Sequence, residues 1–300
     1  MSPEFQSVLF DWNIPPLTTL ALLLTALVYV RGWLLIGRTR PEQFPEWRLG
    51  CFLGGLFALF LAVASPLDTL DDRLLSAHMV QHFMFMSVAP PLLLLGAPQV
   101  PLLRGLPRSF VRRVLGPLFR LHWLRKVGQF LTSLKPAWLM MNIAYISWHV
   151  PAAYELALRS EGWHNVEHAC FFFTSVLFWW PILRPWPTRR RALRWMLLPY
   201  LLTSDIVNTG ISAFLCFAGR PLYPSYTLQV NPLGLSPLND QAAAGAFMWV
   251  FGSMVFLVPA FWITMRLLAP NRGHRRAQMM LPTPEVVRSL KTSGPGSSSL

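Results

Sequence analysis

Two histidines four residues apart, His78 and His82, lie in Ser76-Ala77-His78-Met79-Val80-Gln81-His82, just ahead of an apolar run to Leu95. On a helix they stack on one face, a turn apart. A second pair, His164 and His168, repeats the spacing with Glu167 beside it, and His149 follows Trp148. Ionisable side chains inside an apolar span are costly, so the first reading is functional. Imidazole suits Zn, Cu, Fe and Ni, and thioether ligands shift the preference towards Cu(I). The five histidines therefore point to a metal or haem site. Met79 is adjacent to His78 and projects about 100° away from it, which disfavours a shared ion. Met84 and Met86 fit ordinary packing. Secondary candidates for the site are Met79, Glu167, Asp240 and Asp205; Asp205 lies inside an apolar run where a carboxylate needs a partner or a proton.

The elements that must position these residues are membrane spans. Of 300 residues, 53% are hydrophobic and 13% charged, well below the roughly 25% charged share of a soluble domain. The net charge of +13 would suggest nucleic acid in a soluble protein. Here it follows membrane topology, and no nucleic-acid partner is expected. Cys51, Cys170 and Cys216 are far apart and form no CxxC, so neither a zinc ribbon nor a thioredoxin motif is present.

The expected fold is all-α: a polytopic bundle of seven transmembrane helices within residues 1–270. The spans fall at about 15–36, 49–66, 73–96, 136–152, 162–183, 195–217 and 240–268. A basic helix at about 104–126 is expected on the membrane surface, and a basic, then Ser/Gly-rich, cytoplasmic tail at 271–300. With seven spans the loops fall into two sets, one of which carries 23 of the 26 Lys and Arg; the other carries Arg73, Arg159 and Arg220. The positive-inside rule then puts the N-terminus outside and the C-terminus in the cytoplasm. This topology, set by charge alone, brings His78, His82, His149, His164 and His168 to one level, within roughly 5–15 Å of the outer helix ends. His122 and His274 fall on the basic side and have no assigned role.

Several segments resemble the seven-span CtaG family of cytochrome c oxidase assembly factors, associated with the caa-type oxidase of bacteria. They are Ser65-Pro66-Leu67-Asp68; Ser76 to His82 with Ala89-Pro90-Pro91-Leu92 and Gly96-Ala97-Pro98; Trp148-His149-Val150-Pro151 with Tyr154; His164-x-x-Glu167-His168 with Phe178-Trp179-Trp180-Pro181; and Asp240-Gln241 with Gly245 and Met248-Trp249. The match covers about residues 50–265. The resemblance implies a multi-pass protein of the bacterial cell membrane that matures a haem-copper oxidase, with oxidase subunits and the lipid bilayer as partners. It implies copper as the ion handled, and the carry-over lands on His78, His82, His149, His164 and His168.

The expected function is an assembly factor, not an enzyme. It would hold copper near the outer face through histidines and deliver it to the apo-oxidase. Two alternatives stay open: a histidine-box di-iron oxidase or hydroxylase, and a haem-binding electron-transfer protein.

Overall fold

The computed structural model describes residues 12–37, 41–185 and 194–269, together with Phe10 and Thr39. The tail expected at 271–300 lies outside the described residues. Everything regular among the described residues is helical. That suits a chain whose backbone polar groups must be satisfied within each segment when water is absent.

The helices in chain order are α1 (Pro16–Gly37), α2 (Glu46–Ala64), α3 (Pro66–Leu70), α4 (Leu75–Phe83), α5 (Ala89–Leu95), α6 (Gln99–Gly105), α7 (Arg108–Phe110), α8 (Gly116–Arg120), α9 (His122–Leu131), α10 (Leu134–His149), α11 (Pro151–Leu158), α12 (Glu161–Leu183), α13 (Leu197–Phe217) and α14 (Pro237–Leu268). Helix α2 stops where Ser65 turns extended before Pro66, which disfavours helical backbone at the preceding residue. Ser65 then caps α3, its hydroxyl accepting from the Leu67 amide at 3.2 Å.

Among the described residues, six segments are long and apolar enough to cross a membrane: Pro16–Gly37, Glu46–Leu70, Leu75–Leu95, Glu161–Leu183, Leu197–Phe217 and Pro237–Leu268. The span expected at 136–152 is α10, a helix of 16 residues. At 1.5 Å per residue it is about 24 Å long, short of the roughly 30 Å hydrocarbon thickness. It is nevertheless packed into the bundle, against α12 and α13, and ends where Val150 turns extended before Pro151.

The surface helix expected at 104–126 is not one element. Its start belongs to α6, which packs on α1 through two glycines. A Cβ on Gly32 would run into the Pro101 carbonyl, and one on Gly105 into the Val28 carbonyl. Extended backbone at Leu106, Pro107 and Leu121 then separates α6, the α7–α8 stretch and α9. The α7–α8 stretch and α9 both keep the amphipathic surface character, with Phe110, Val114, Trp123 and Phe130 exposed beside Arg112, Arg113, Arg125 and Lys126.

The core runs between α4, α10, α12, α13 and α14 through Met79, Met141, Phe171, Phe178, Tyr200, Met248 and Phe256. Helices α13 and α14 cross closely at Gly245, where an added Cβ would lie 2.6 Å from the Cys216 nitrogen and 2.8 Å from the Ser212 carbonyl oxygen. Tyr29 ties α1 to the rest: its ring stacks on Phe52 with centroids 3.7 Å apart, and its hydroxyl donates to the Gly96 carbonyl at 2.7 Å.

Candidate metal centre

Three helix ends meet at one end of the bundle. His78 and His82 lie on α4, His149 is the last residue of α10, and His164 and His168 lie in the first two turns of α12. Helix α4 has no cap from its own Leu74. Asp240, at the start of α14, supplies one: its carboxylate accepts from the Leu75 amide (2.7 Å), the Ser76 amide (3.4 Å) and the Ser76 hydroxyl (2.5 Å). The next residue, Gln241, accepts from the Leu222 amide at 2.7 Å and donates to the carbonyls of Leu215 and Arg220. The Asp240-Gln241 pair therefore holds α4 and the 218–223 loop in place, and Asp240 does not face the histidines.

After His82 the helix widens into a π turn over Met84–Val88. Pro90 and Pro91 explain it: neither has an N–H, so the i→i−4 ladder loses two donors and slips by one residue. The Met86 carbonyl, which Pro90 cannot serve, accepts instead from Trp179 Nε1 at 3.1 Å. Such π turns recur beside functional sites.

The imidazoles pack against one another. Ring centroids are 4.2 Å apart for His78–His82, 4.1 Å for His164–His168, 5.1 Å for His78–His164 and 5.4 Å for His82–His168. His149 stands at the margin, 6.4 Å from His82. Rings in such close contact leave no slot for a porphyrin among them. Glu167 is fully buried, with one oxygen 3.7 Å from His78 Nε2 and the other 3.7 Å from His82 Nε2. His78, His82 and His168 offer ring nitrogens within 4.8 Å of one another, and Asp71, His78 and His164 form a second such group. His78 Nε2 and His82 Nε2 are 2.7 Å apart. Two nitrogens on one ion, each at about 2.0–2.1 Å and at right angles, would be about 2.9 Å apart, so the spacing suits adjacent positions on a single ion.

The hydrogen bonds fix which ring nitrogens carry lone pairs inward. Burial pushes the Tyr226 hydroxyl well above its usual range, so it keeps its proton. It donates that proton to the Asp71 carbonyl at 2.8 Å and lies 3.3 Å from His78 Nδ1, from which it can accept. This assigns the proton of His78 to Nδ1 and its lone pair to Nε2. The same logic at His149, whose Nδ1 lies 2.7 Å from the Tyr145 carbonyl, leaves Nε2 as a lone pair. Around the cluster, His82 Nδ1, His149 Nε2, His164 Nε2, His168 Nε2, both Glu167 oxygens and Asp71 Oδ2 are buried without a hydrogen-bond partner. Buried polar atoms are rarely left so, and these seven, all on side chains able to ligate a cation, lie close together.

The structure thus gathers four of the sequence-predicted histidines with Glu167 and sets His149 beside them. It does not bring Asp240 to them. Asp205 stands midway along α13, half-buried with Oδ1 unpartnered, and joins neither ligand group. Met79 is buried on α4 and, with His82, lines a cavity beneath the cluster. Sequence reasoning missed Asp71, buried to 1% exposure with Oδ2 3.7 Å from His164 Nε2, and Tyr226. Neighbouring acids and burial hold the Asp71 carboxyl well above the usual range, burial contributing most.

The family model described as "cytochrome c oxidase caa3 assembly factor" matches residues 27–269. Uncharacterized proteins of Mycobacterium bovis and Mycobacterium tuberculosis are each 27% identical over 257 residues, which is 82% of this chain and 38% of each relative. The chain therefore spans less than two fifths of the length of these relatives. No solved structure matches it.

Proposed function

The chain belongs to the cytochrome c oxidase caa3 assembly factor family, and from that premise we propose that it holds copper near the outer membrane face and passes it to the apo-oxidase. The observation that carries the reading is the set of five unpartnered buried ligand atoms on Asp71, His164, Glu167 and His168, beside the facing Nε2 atoms of His78 and His82. Copper here is cargo. Imidazole ligands exchange more readily than a closed thiolate cage, which suits hand-over. The cluster sits at helix ends, a few residues from the loops, so a partner chain could reach it. The reading takes α10 as a seventh crossing, with the N-terminus outside, because seven crossings put 23 of 26 Lys and Arg on one side. In that arrangement the protein is a multi-pass component of the bacterial cell membrane, with oxidase subunits as its docking partners.

A second reading is a di-iron oxidase or hydroxylase. The two carboxylates beside the histidines favour it, since two histidines and one carboxylate suit non-haem Fe(II). Transfer separates the two. Copper-loaded protein incubated with apo-oxidase should lose copper as the oxidase gains it and acquires activity. Copper that stays with the donor while the oxidase remains inactive would reject delivery; iron in the purified protein would favour the second reading.

A further inference from the structure

Beneath the histidine cluster lies a cavity of about 40 Å³ that the reading above does not use. It begins at His82 and His149 and runs into the bundle, reaching Met141, eight residues before His149 on α10 and so about 12 Å deeper. Four methionines from three helices line it: Met79 and Met86 from α4 and the π turn, Met141 from α10 and Met248 from α14. All four are buried to 6% exposure or less. The polar groups on its wall are already engaged with one another or with backbone. Asn142 donates to Ser204 at 3.1 Å and to the Trp138 carbonyl at 2.8 Å; Tyr145 donates to Asn208 at 2.9 Å. What remains unsatisfied is His82 Nδ1 and His149 Nε2. The wall thus offers four thioether sulfurs and the lone pair of His149 Nε2, with no free carboxylate; His82, whose Nε2 lone pair faces the cluster above, turns its Nδ1 to the cavity.

We infer that this cavity is a second cation site, selective for a soft monovalent ion, Cu(I) or its analogue Ag(I). Thioether and imidazole ligands favour Cu(I) over harder divalent ions. At roughly 10–15 Å³ per water, the volume holds about three waters. That fits a desolvated ion, whereas an organic ligand takes roughly 300 Å³ or more. Lying below His82, the site is a deeper station that shares one residue with the cluster above. The inference stands on the cavity and does not require delivery to an oxidase.

The test uses the full chain in detergent, titrated with Ag(I) in chloride-free buffer, with the coordination shell read by X-ray absorption. The site predicts sulfur neighbours on bound silver. Met79→Leu/Met86→Leu/Met141→Leu/Met248→Leu replaces thioethers with side chains of similar volume and should weaken silver binding by about tenfold or more and remove the sulfur shell. His78→Ala, which changes a residue outside the cavity wall, should leave that shell in place, so failure of the upper cluster and failure of this site are read separately. If the fourfold variant does not fold, Met79→Leu/Met86→Leu and Met141→Leu/Met248→Leu carry the same test in halves. Silver without sulfur neighbours, or a folded fourfold variant binding silver as tightly as wild type, overturns the inference.

Discussion

Replacing Asp240 with alanine separates a structural carboxylate from a metal ligand. Its oxygens accept from the Leu75 and Ser76 amides and the Ser76 hydroxyl, and Leu74 offers α4 no cap of its own. The change leaves the buried Leu75 N–H unsatisfied, at about 1–3 kcal/mol, and removes a cap of about 0.5–2 kcal/mol. These describe the same loss, so about 2 kcal/mol is the expected cost. At roughly 2–4 °C per kcal/mol for a chain of this size, Tm in detergent should fall by about 4–8 °C. Metal stoichiometry should be unchanged, since no Asp240 oxygen faces the histidines. Affinity should weaken modestly, because His78 is three residues from the capped amide. Asp240→Asn, which keeps one acceptor oxygen, should lose about half as much stability. Thermal unfolding by circular dichroism, paired with elemental analysis, reads both quantities. A variant emptied of metal with Tm unmoved would make Asp240 a ligand and refute the capping argument.

Tyr226→Phe removes the hydroxyl that orients His78. The fold should survive, while metal affinity falls by about 10–100-fold at unchanged stoichiometry, the usual effect of losing a group that orients a ligand; competition with a chelator of known affinity measures it. Gly245→Ala drives a Cβ into the α13 backbone at Cys216 and Ser212. Its expected cost is about 1–3 kcal/mol, seen as a lowered Tm, and an unchanged Tm would mean that the helices can separate there freely. Lys135→Ala, at the opposite end of α10 from His149, should leave metal content as in wild type.

The histidine cluster was legible because its signal is local: two i, i+4 pairs, each at the start of an apolar span, and a loop-charge asymmetry that sets helix direction. Geometry that depends on partners far along the chain was not. Asp240 read as a candidate ligand because an acid at a span entrance looks available; its partner amide is at Leu75, which no periodicity reveals. Asp71 is one of three acids between residues 68 and 72, and only the approach of His164 gives it a place. Tyr226 lies in a nearly uncharged Pro- and Tyr-rich loop with no helical pattern, and Glu155 positions it by accepting from the Ser225 amide at 3.0 Å. Of the cavity methionines, Met79 was a secondary site candidate disfavoured for an ion shared with His78, and Met86 fitted ordinary packing. On each helix that is what their spacing suggests, and the cavity emerges only when α4, α10 and α14 are assembled. The surface helix misled for a related reason: basic and apolar residues alternate suitably over 104–126, yet Pro107 and the glycine contact at Gly105 assign its start to the bundle.

The account rests on the cluster binding metal through His78 and His82, and elemental analysis of the purified protein beside the His78→Ala/His82→Ala variant tests that most directly. Copper at a defined stoichiometry in the wild type, lost from a variant that still inserts and keeps its helicity, is the predicted result. Equal metal content in the two proteins would contradict it.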